Sequence, residues 1–179
     1  MKITQTNLNG CFILEPKIFK DDRGSFFESY NNKVFKENTG LDINFVQDNQ
    51  SVSNRGIIRG LHIQRGEFAQ SKLVRVIKGE VLDVVVDVRK NSKTFGKIFS
   101  CILSETNNKQ LFIPKGFLHG FSVLVDNTIF AYKCDEYYNK KSEYGVMYND
   151  PDLNIDWKLN QEEIILSEKD KELNSFINF

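Results

Sequence analysis

The stretch KLVRVIKGEVLDVVVDVR, residues 72–89, decides the fold class. In its second half, Val81, Asp83, Val85 and Asp87 alternate with a run of leucine and valine residues. Strict alternation rich in β-branched residues predicts β-strands rather than helices. The pair Lys78-Gly79 separates the two halves and predicts the turn of a β-hairpin. This stretch therefore predicts a mainly β protein.

Further strands are predicted on both sides of this stretch. They cover residues 26–30, 45–53, 110–113, 119–125 and 128–134. Turn residues separate the last three of these strands. Pro114-Lys115-Gly116 leads from the first to the second, and Asp126-Asn127 forms a polar turn between the second and the third. Short helices are predicted from Asn31 to Asn38, ending at Gly40, and after Ser167, which we expect to be an N-cap. Several short strands with regular turns predict a sandwich or barrel.

The composition is that of one ordinary globular domain. A chain of 179 residues without a repeat, a linker or a change in composition predicts a single domain over residues 1–179. Lysine plus arginine equals aspartate plus glutamate, at 24 each. No overall field therefore recruits a nucleic acid or an acidic membrane, and an anionic ligand requires a local cluster of cations.

The cysteines and the N-terminus indicate the compartment. Cys11, Cys101 and Cys134 are odd in number and widely spaced, which favours reduced thiols over disulfides or a metal knuckle. The first residues lack the apolar core of a signal peptide, and no run approaches the roughly 18 apolar residues of a membrane span. We therefore expect a cytoplasmic protein with no membrane contact.

The chain has only two histidines, in the motifs RGLHIQ (59–64) and PKGFLHGF (114–121). The second motif resembles the P-x-G-x-x-H signature of the cupin superfamily, whose double-stranded β-helix barrels often bind a metal through three histidines and a glutamate. The H-x-H half of that metal motif is missing here, because Ile63-Gln64 follows His62. A two-histidine, one-carboxylate iron site from His62, His119 and an acid stays open, as in a metal-dependent cupin oxygenase. We expect a pocket without metal.

A more specific resemblance covers nearly the whole chain. Its motifs follow one another in order: Asp22-Arg23-Gly24 with Phe26 and Glu28, Gln47-Asp48-Asn49 with Ser51, Arg59 to His62, Ala69 to Val76, Val86 to Arg89, Thr94-Phe95-Gly96, Pro114 to Phe121, Tyr132-Lys133, Tyr137-Tyr138, Asn149-Asp150-Pro151 with Trp157, and Leu166 to Asp170. In this pattern the chain resembles the dTDP-4-dehydrorhamnose 3,5-epimerase family, which are metal-free cupins.

The resemblance implies a fold and an activity. The fold is a mainly β, cupin-type jelly-roll barrel with a few short helices, assembled as a homodimer. The activity is cofactor-free epimerisation of dTDP-4-dehydro-6-deoxy-D-glucose at carbons 3 and 5, giving dTDP-4-dehydro-L-rhamnose for rhamnose and cell-surface polysaccharide biosynthesis. Two alternatives to this isomerase remain besides the oxygenase. One is a single-site epimerase of a related dTDP-4-keto sugar, and the other is a carbohydrate-binding barrel without activity.

The resemblance also implies four catalytic residues. His62 is the expected base, oriented by Asp170, and Tyr132 is the expected acid on the opposite face of the sugar. A proton beside a ketone is a weaker acid than imidazolium by about a dozen pKa units, on the order of 16 kcal/mol at about 1.36 kcal/mol per unit. Most of that gap must be closed by stabilising the enolate, a role expected of Lys72.

Each of these residues also has an ordinary structural interpretation. Lys72 shares strand parity with Val74 and Val76, which points it into the barrel, yet a lysine in a strand commonly faces solvent. Asp170 suits the first turn of a helix after Ser167 without any catalytic role. Tyr132 could be a core tyrosine with a satisfied hydroxyl.

The remaining predicted contacts bind the substrate. Arginine suits phosphate because its planar fork makes paired hydrogen bonds, and Tyr138 matches the family's aromatic residue that stacks on thymine. The full predicted set is Arg23, Phe26, Glu28, Gln47, Asp48, Asn49, Arg59, Lys72, His119, Tyr138, Glu143 and Lys169. Arg59 and His62 fall on opposite faces of a regular strand, so we expect a bulge at Gly60 to turn both inward.

Overall fold

The computed structural model describes residues 1–178. Its strands are β1 (Lys2–Gln5), β2 (Phe12–Glu15), β3 (Phe19–Asp21), β4 (Gly24–Phe26), β5 (Gln47–Ser53), β6 (Ile58–Gln64), β7 (Lys72–Lys78), β8 (Glu80–Asp87), β9 (Ile98–Ser104), β10 (Gln110–Ile113), β11 (Phe117–Val123), β12 (Thr128–Cys134) and β13 (Glu143–Gly145). The α-helices are α1 (Asn32–Thr39) and α2 (Glu168–Lys171), and single 3₁₀ turns occur at Gly66–Phe68, Lys140–Ser142, Gln161–Glu163 and Phe176–Asn178.

Two antiparallel sheets form the body of the protein. One has the strand order β1-β2-β10-β7-β12-β5, and the other has the order β13-β6-β11-β8-β9. The strands β3 and β4 pair only with each other, as a separate hairpin. The predicted mainly β barrel with a few short helices is confirmed. Within residues 1–178, no helix has the length and apolar character that a membrane span requires.

The hairpin predicted at Lys78-Gly79 is wrong, although both of its strands exist. β7 pairs with β10 and β12, whereas β8 pairs with β9 and β11 in the other sheet. Gly79 is instead a corner between the sheets, with φ of 82°. A Cβ at this position would lie 2.2 Å from the hydroxyl of Thr128, so the corner requires glycine. Successive strands from β10 to β12 change sheets in the same way.

The other predicted elements are mostly confirmed. Asn31 caps α1 by accepting from the Val34 N–H, and Gly40 ends the helix in the left-handed conformation. The strand predicted over 26–30 is wrong, because β4 ends at Phe26. The following residues instead lead into α1, with the Asn31 amide donating to Glu28 Oε1 at 3.0 Å.

Three apolar layers hold the sheets in place. The layer between the sheets includes Val74, Val85, Phe121 and Phe130. A second layer, which includes Trp157, packs the C-terminal segment on the outer face of the five-stranded sheet, and a third packs α1 on the six-stranded sheet. Strand residues alternate between faces, so every second residue points between the sheets. Near one end of the barrel, these inward positions carry polar groups.

Candidate active site

A cavity opens between the two sheets at this polar end. It has two lobes of about 400 Å³ and about 300 Å³, both lined by Asn49, His62, Lys72 and Tyr132. His62 comes from β6 in the five-stranded sheet, while Lys72 and Tyr132 come from β7 and β12 in the six-stranded sheet. The predicted base therefore lies on the wall opposite the predicted enolate stabiliser and acid.

The expected bulge at Gly60 is confirmed. Between β6 and β11, His62 pairs with His119 while Arg59 pairs with Phe121, so three steps on one strand match two on the other. Gly60 has φ of 118°, and a Cβ there would lie 2.6 Å from the Cα of Gly120. Arg59 and His62 consequently both line the cavity.

His62 and Asp170 form a close pair. His62 Nε2 lies 2.6 Å from Asp170 Oδ1, and because a carboxylate only accepts, this ring nitrogen carries the proton. Asp170 is 4% exposed. Burial alone would raise the pKa of Asp170, but the hydrogen bond from His62 and those from Ser167 and the Gly60 backbone hold it below its ordinary value.

Lys72 lies inside the barrel, as its strand parity predicted. Its ammonium lies 5.9 Å from the ring centroid of Tyr132 and lines both lobes. In the part of the chain that the structure describes, no carboxylate forms an ion pair with it. Desolvation lowers the pKa of Lys72, while the charges of Cys134, Asp83 and Glu143 counteract that effect.

Tyr132 differs from an ordinary core tyrosine. Although the residue packs against the apolar layer, its hydroxyl makes no hydrogen bond to any residue that the structure describes. Burial raises the pKa of Tyr132 to about 12. The hydroxyl therefore stays protonated at neutral pH and is available to a ligand.

A second histidine–carboxylate pair lies deeper in the barrel. His119 Nε2 lies 2.9 Å from Asp83 Oδ2, and the two residues are 7% and 0% exposed. Burial raises the pKa of Asp83, and its hydrogen bond with His119 and the positive charge of Lys72 oppose that rise. His119 lies directly opposite His62 in the strand pairing, so both imidazoles belong to the same wall.

The larger lobe carries the basic groups. Arg59, Lys169 and His119 line it together with Ser51, whose hydroxyl is buried without a hydrogen-bond partner among residues 1–178. Lys169 Nζ forms an ion pair with Glu143 Oε1 at 2.5 Å. This ion pair connects Lys169, which lines the larger lobe, with Glu143, which lines the smaller one.

The smaller lobe carries the exposed aromatic ring. Tyr138 is 55% exposed, its hydroxyl donates to Glu143 Oε2 at 2.8 Å, and its backbone N–H donates to Gln47 Oε1 at 3.0 Å. Burial alone would raise the pKa of Glu143, but hydrogen bonds from Lys169 and Tyr138 keep it below its ordinary value. Gln47, Tyr138 and Glu143 are predicted substrate contacts, and all three line this lobe.

Four predicted substrate contacts lie outside the cavity in this chain. Arg23 and Phe26 belong to the β3–β4 hairpin, where Arg23 pairs with Asp21 and Phe26 is 68% exposed. Glu28 follows the hairpin and accepts from the Asn31 amide. Asp48 alternates outward between the inward Gln47 and Asn49 and pairs with Lys133 on the outer face of the sheet.

The sequence reasoning missed three inward polar residues, Asp83, Ser51 and Gln64. Asp83 shares strand parity with the buried Val81 and Val85, so a carboxylate in the barrel was readable from the alternation. Ser51 shares strand parity with Asn49, so its inward direction was also readable from the alternation. Gln64 follows His62 by two residues on the same face, but two of its three partners, Tyr137 and Asn139, are more than 70 residues away.

The iron-site alternative can be compared with the side-chain arrangement. Each imidazole directs its Nε2 at its own carboxylate, Asp170 for His62 and Asp83 for His119. Among residues 1–178, no group of three or more histidine, cysteine, aspartate or glutamate side chains is arranged to hold a metal ion. The donor set therefore does not fit the two-histidine, one-carboxylate site.

Comparison with known proteins agrees with this geometry. The model of the dTDP-4-dehydrorhamnose 3,5-epimerase family matches residues 5–178. The chain therefore belongs to the dTDP-4-dehydrorhamnose 3,5-epimerase family. A curated 3,5-epimerase from Methanothermobacter thermautotrophicus is 49% identical over 171 residues, covering 95% of this chain and 91% of the relative.

Solved structures of sugar epimerases superimpose closely. The enzyme from Elizabethkingia anophelis has a TM-score of 0.95 at 52% identity, covering 99% of this chain and 97% of that one. RmlC from Legionella pneumophila, in complex with dTDP-4-keto-L-rhamnose, has a TM-score of 0.93 at 47% identity, with 97% and 92% covered. ChmJ, a 3'-monoepimerase from Streptomyces bikiniensis in complex with dTDP-quinovose, has a TM-score of 0.88 at 32% identity, with 95% and 85% covered.

Proposed function

We propose that this protein epimerises dTDP-4-dehydro-6-deoxy-D-glucose at carbons 3 and 5, without metal or cofactor, to give dTDP-4-dehydro-L-rhamnose. The observation that carries the proposal is the placement of His62 on one wall of a cavity and of Lys72 and Tyr132 on the other. Carbons 3 and 5 both flank the ketone at carbon 4, so one enolate-stabilising group serves both inversions.

His62 removes the proton. Because its Nε2 donates to Asp170, its Nδ1 is the nitrogen that can accept a proton from carbon. The imidazolium that forms is stabilised by the buried carboxylate of Asp170, which also fixes the tautomer and the ring orientation. General-base catalysis of this kind contributes about 10²- to 10⁴-fold.

Lys72 stabilises the enolate. Its ammonium is desolvated and lacks an ion-pair partner within residues 1–178, so it can direct its charge at the ketone oxygen. A cation in a partly dry site interacts with an oxyanion several times more strongly than in water. Stabilisation of the enolate must close most of the roughly 16 kcal/mol that separates imidazole from a carbon acid, and this interaction contributes to it.

Tyr132 delivers its own hydroxyl proton to the opposite face of the carbon, while the proton removed stays on His62. Inversion at a carbon requires delivery on the side away from removal, and His62 occupies only one wall. With its pKa raised to about 12, Tyr132 holds its proton at neutral pH until the enolate takes it up. The neighbouring Lys72 ammonium then stabilises the tyrosinate that forms.

The nucleotide occupies the outer parts of the two lobes. Arg59 and Lys169 are placed to bind the diphosphate, and Tyr138 presents a ring on which thymine can stack. Binding of the diphosphate would draw Lys169 away from Glu143, which it pairs with in the free protein.

We further propose a homodimer that works in the cytoplasm. The β3–β4 hairpin carries the exposed Phe19 and Phe26 beside Arg23 and makes no strand pairing with the rest of the described chain. In a dimer, this hairpin would bring Arg23, Phe26 and Glu28 to the partner's cavity and cover its apolar side chains. The free thiols of Cys11, Cys101 and Cys134 fit a reducing compartment.

A single-site epimerase of a related dTDP-4-keto sugar is the second candidate. The observation that favours it is the close superposition of ChmJ, a 3'-monoepimerase, on this chain. A base, an acid and an enolate stabiliser are needed for one inversion as much as for two.

One experiment separates these proposals. The protein is incubated in heavy water with dTDP-4-dehydro-6-deoxy-D-glucose and a chelator, and deuterium incorporation is followed by NMR. We expect exchange at both carbons together with the L-rhamno product. Exchange at one carbon would support the single-site epimerase, and exchange at neither would overturn both proposals. Activity that is lost with the chelator and restored by iron would support the metal site instead.

A further inference from the structure

Gln64, at the end of β6, uses its whole side-chain amide to hold backbone from two other segments. Its Nε2 donates to the carbonyl of Phe68 at 2.7 Å and to that of Tyr137 at 3.1 Å. Its Oε1 accepts from the N–H of Asn139 at 2.6 Å. The residue is 5% exposed, so these bonds are shielded from water.

Two of these bonds flank Tyr138 on either side. The carbonyl of Tyr137 and the N–H of Asn139 are fixed by Gln64, and the N–H of Tyr138 itself is fixed by Gln47. The ring of Tyr138 is more than half exposed, so packing contributes little to its position. Besides the bond from its hydroxyl to Glu143, its place at the cavity therefore depends on backbone bonds to two glutamine side chains.

Only a carboxamide can make this set of bonds. It supplies two donors and an acceptor in one plane, whereas a carboxylate has no donor and a neutral imidazole has one donor and one acceptor. Gln64 follows His62 by two residues, which is where the H-x-H motif of metal-binding cupins has its second histidine. In this chain, that inward position orders a loop.

We propose that Gln64 is a positioning residue that holds Tyr138 ready for the base of the nucleotide before the ligand arrives. This inference rests on the proposed function, in which Tyr138 stacks on thymine. Because the side-chain amide of Gln64 is used in bonds to backbone, we expect its effect to fall on nucleotide affinity and not on the chemical step.

The test is a double-mutant cycle on dTDP affinity, measured by calorimetry. Gln64→Met keeps the size of the side chain and its lack of charge but removes all three hydrogen bonds. Base–aromatic stacking is worth about 1–3 kcal/mol, so we expect Gln64→Met and Tyr138→Ala each to weaken dTDP binding about fivefold or more. Because one acts through the other, adding Gln64→Met to Tyr138→Ala should change the affinity less than about twofold.

The steady-state kinetics provide a second criterion. We expect Gln64→Met to raise KM while kcat stays within about threefold. The matched control is Asn107→Leu, since the Asn107 amide also makes three bonds to backbone, at the turn before β10, and lines neither lobe of the cavity. The control should leave KM and dTDP affinity unchanged.

Hydrogen exchange on the unaltered protein tests the inference even if the variant does not fold. The amides of Tyr138 and Asn139 should be protected in the free protein, and saturation with dTDP should change their rates less than about threefold. Unprotected amides, or protection that appears only with dTDP, would overturn the proposal. Equal effects of Gln64→Met in both backgrounds would overturn it as well.

If the proposed stacking of thymine on Tyr138 is wrong, the experiments give a different result. If Tyr138→Ala leaves dTDP affinity unchanged, stacking on Tyr138 is wrong and this inference is overturned with it, while exchange at carbons 3 and 5 would still support the reaction. If Tyr138→Ala weakens binding and Gln64→Met does not, only the positioning role of Gln64 is overturned.

Discussion

Asp170 Oδ1 lies 2.6 Å from Nε2 of His62, although the two residues are 108 positions apart in the chain. The carboxylate comes from the four-residue helix α2, which is itself capped by Ser167 and packs against β6. This contact leaves the other imidazole nitrogen free for a substrate proton. In the proposed mechanism, the short helix α2 is therefore part of the catalytic arrangement, and the role of its carboxylate can be tested directly.

Replacing Asp170 with asparagine should lower kcat about 10²-fold. An amide oxygen can still accept from the imidazole, but it cannot stabilise the imidazolium, and an amide that turns its nitrogen to the ring selects the wrong tautomer. Steady-state kinetics check this result. Glu168→Gln, on the exposed side of the same helix, is the control and should retain full activity. An Asp170→Asn enzyme with unchanged kcat would remove the carboxylate from the mechanism.

His62→Ala should abolish deuterium exchange at both carbons while dTDP affinity stays within about threefold. The reason is that His62 is the imidazole that lines both lobes of the cavity, whereas the predicted nucleotide contacts Arg59, Lys169 and Tyr138 each line one lobe. Calorimetry and NMR in heavy water measure the two properties separately. Exchange at the rate of the unaltered enzyme would refute the assignment of the base.

Tyr132→Phe should retain deuterium exchange at one carbon at least, yet fail to complete the L-rhamno product. Phenylalanine preserves the packing against Phe130 but has no proton to deliver. Product formation is followed by NMR of the sugar ring. Turnover equal to that of the unaltered enzyme would contradict the role of Tyr132 as acid.

Activity should fall on the alkaline side at a pH below 10.5, the ordinary pKa of lysine, because desolvation lowers the pKa of Lys72. The sign follows from the charge: Lys72 stabilises the enolate only when protonated, which requires a pH below its own pKa. Cys134 and Tyr132, which face the same cavity, have pKa values raised to about 11 and about 12 and so lose their protons later.

The pH profile of kcat/KM and two variants check this assignment. Lys72→Arg should keep less activity because of its larger head group, but the alkaline fall should move beyond the accessible range, since arginine stays charged. Cys134→Ala should leave the fall in place. An alkaline fall that persists in Lys72→Arg would assign it to another group.

Asp83→Asn should move the alkaline fall in activity, which we assign to Lys72, to lower pH. Asp83 is fully buried, and its negative charge raises the pKa of Lys72, so its removal leaves desolvation less opposed. Glu143, the other carboxylate acting on Lys72, is unchanged in this variant, and Cys134 keeps its proton in this pH range because its pKa is raised to about 11. A fall that stays in place or moves upward would contradict the electrostatic role of Asp83.

The sequence predicted the strands better than their pairing. The alternation in residues 72–89 identified β7 and β8, but the expected hairpin at Gly79 is absent because each strand pairs with residues far along the chain. A glycine with positive φ serves a tight hairpin and a corner between sheets equally well. Local sequence does not distinguish the two, since the choice depends on long-range contacts.

In the candidate site, too, local features were predictable from the sequence and long-range contacts were not. Strand parity predicted that Lys72 points inward, and the opposite parity of Arg59 and His62 predicted the bulge at Gly60. Two of the three hydrogen bonds of Gln64, by contrast, join segments more than 70 residues apart and have no local signal. The position of Arg23 and Phe26 outside the cavity likewise depends on how the hairpin folds back, which no local pattern fixes.

The most direct test of the account is a crystal structure of His62→Ala with dTDP-4-dehydro-6-deoxy-D-glucose. The account predicts the ketone oxygen within about 3 Å of Lys72 Nζ, with position 62 and the Tyr132 hydroxyl on opposite faces of the sugar ring. A ketone oxygen directed away from Lys72, or both groups on the same face of the ring, would contradict it.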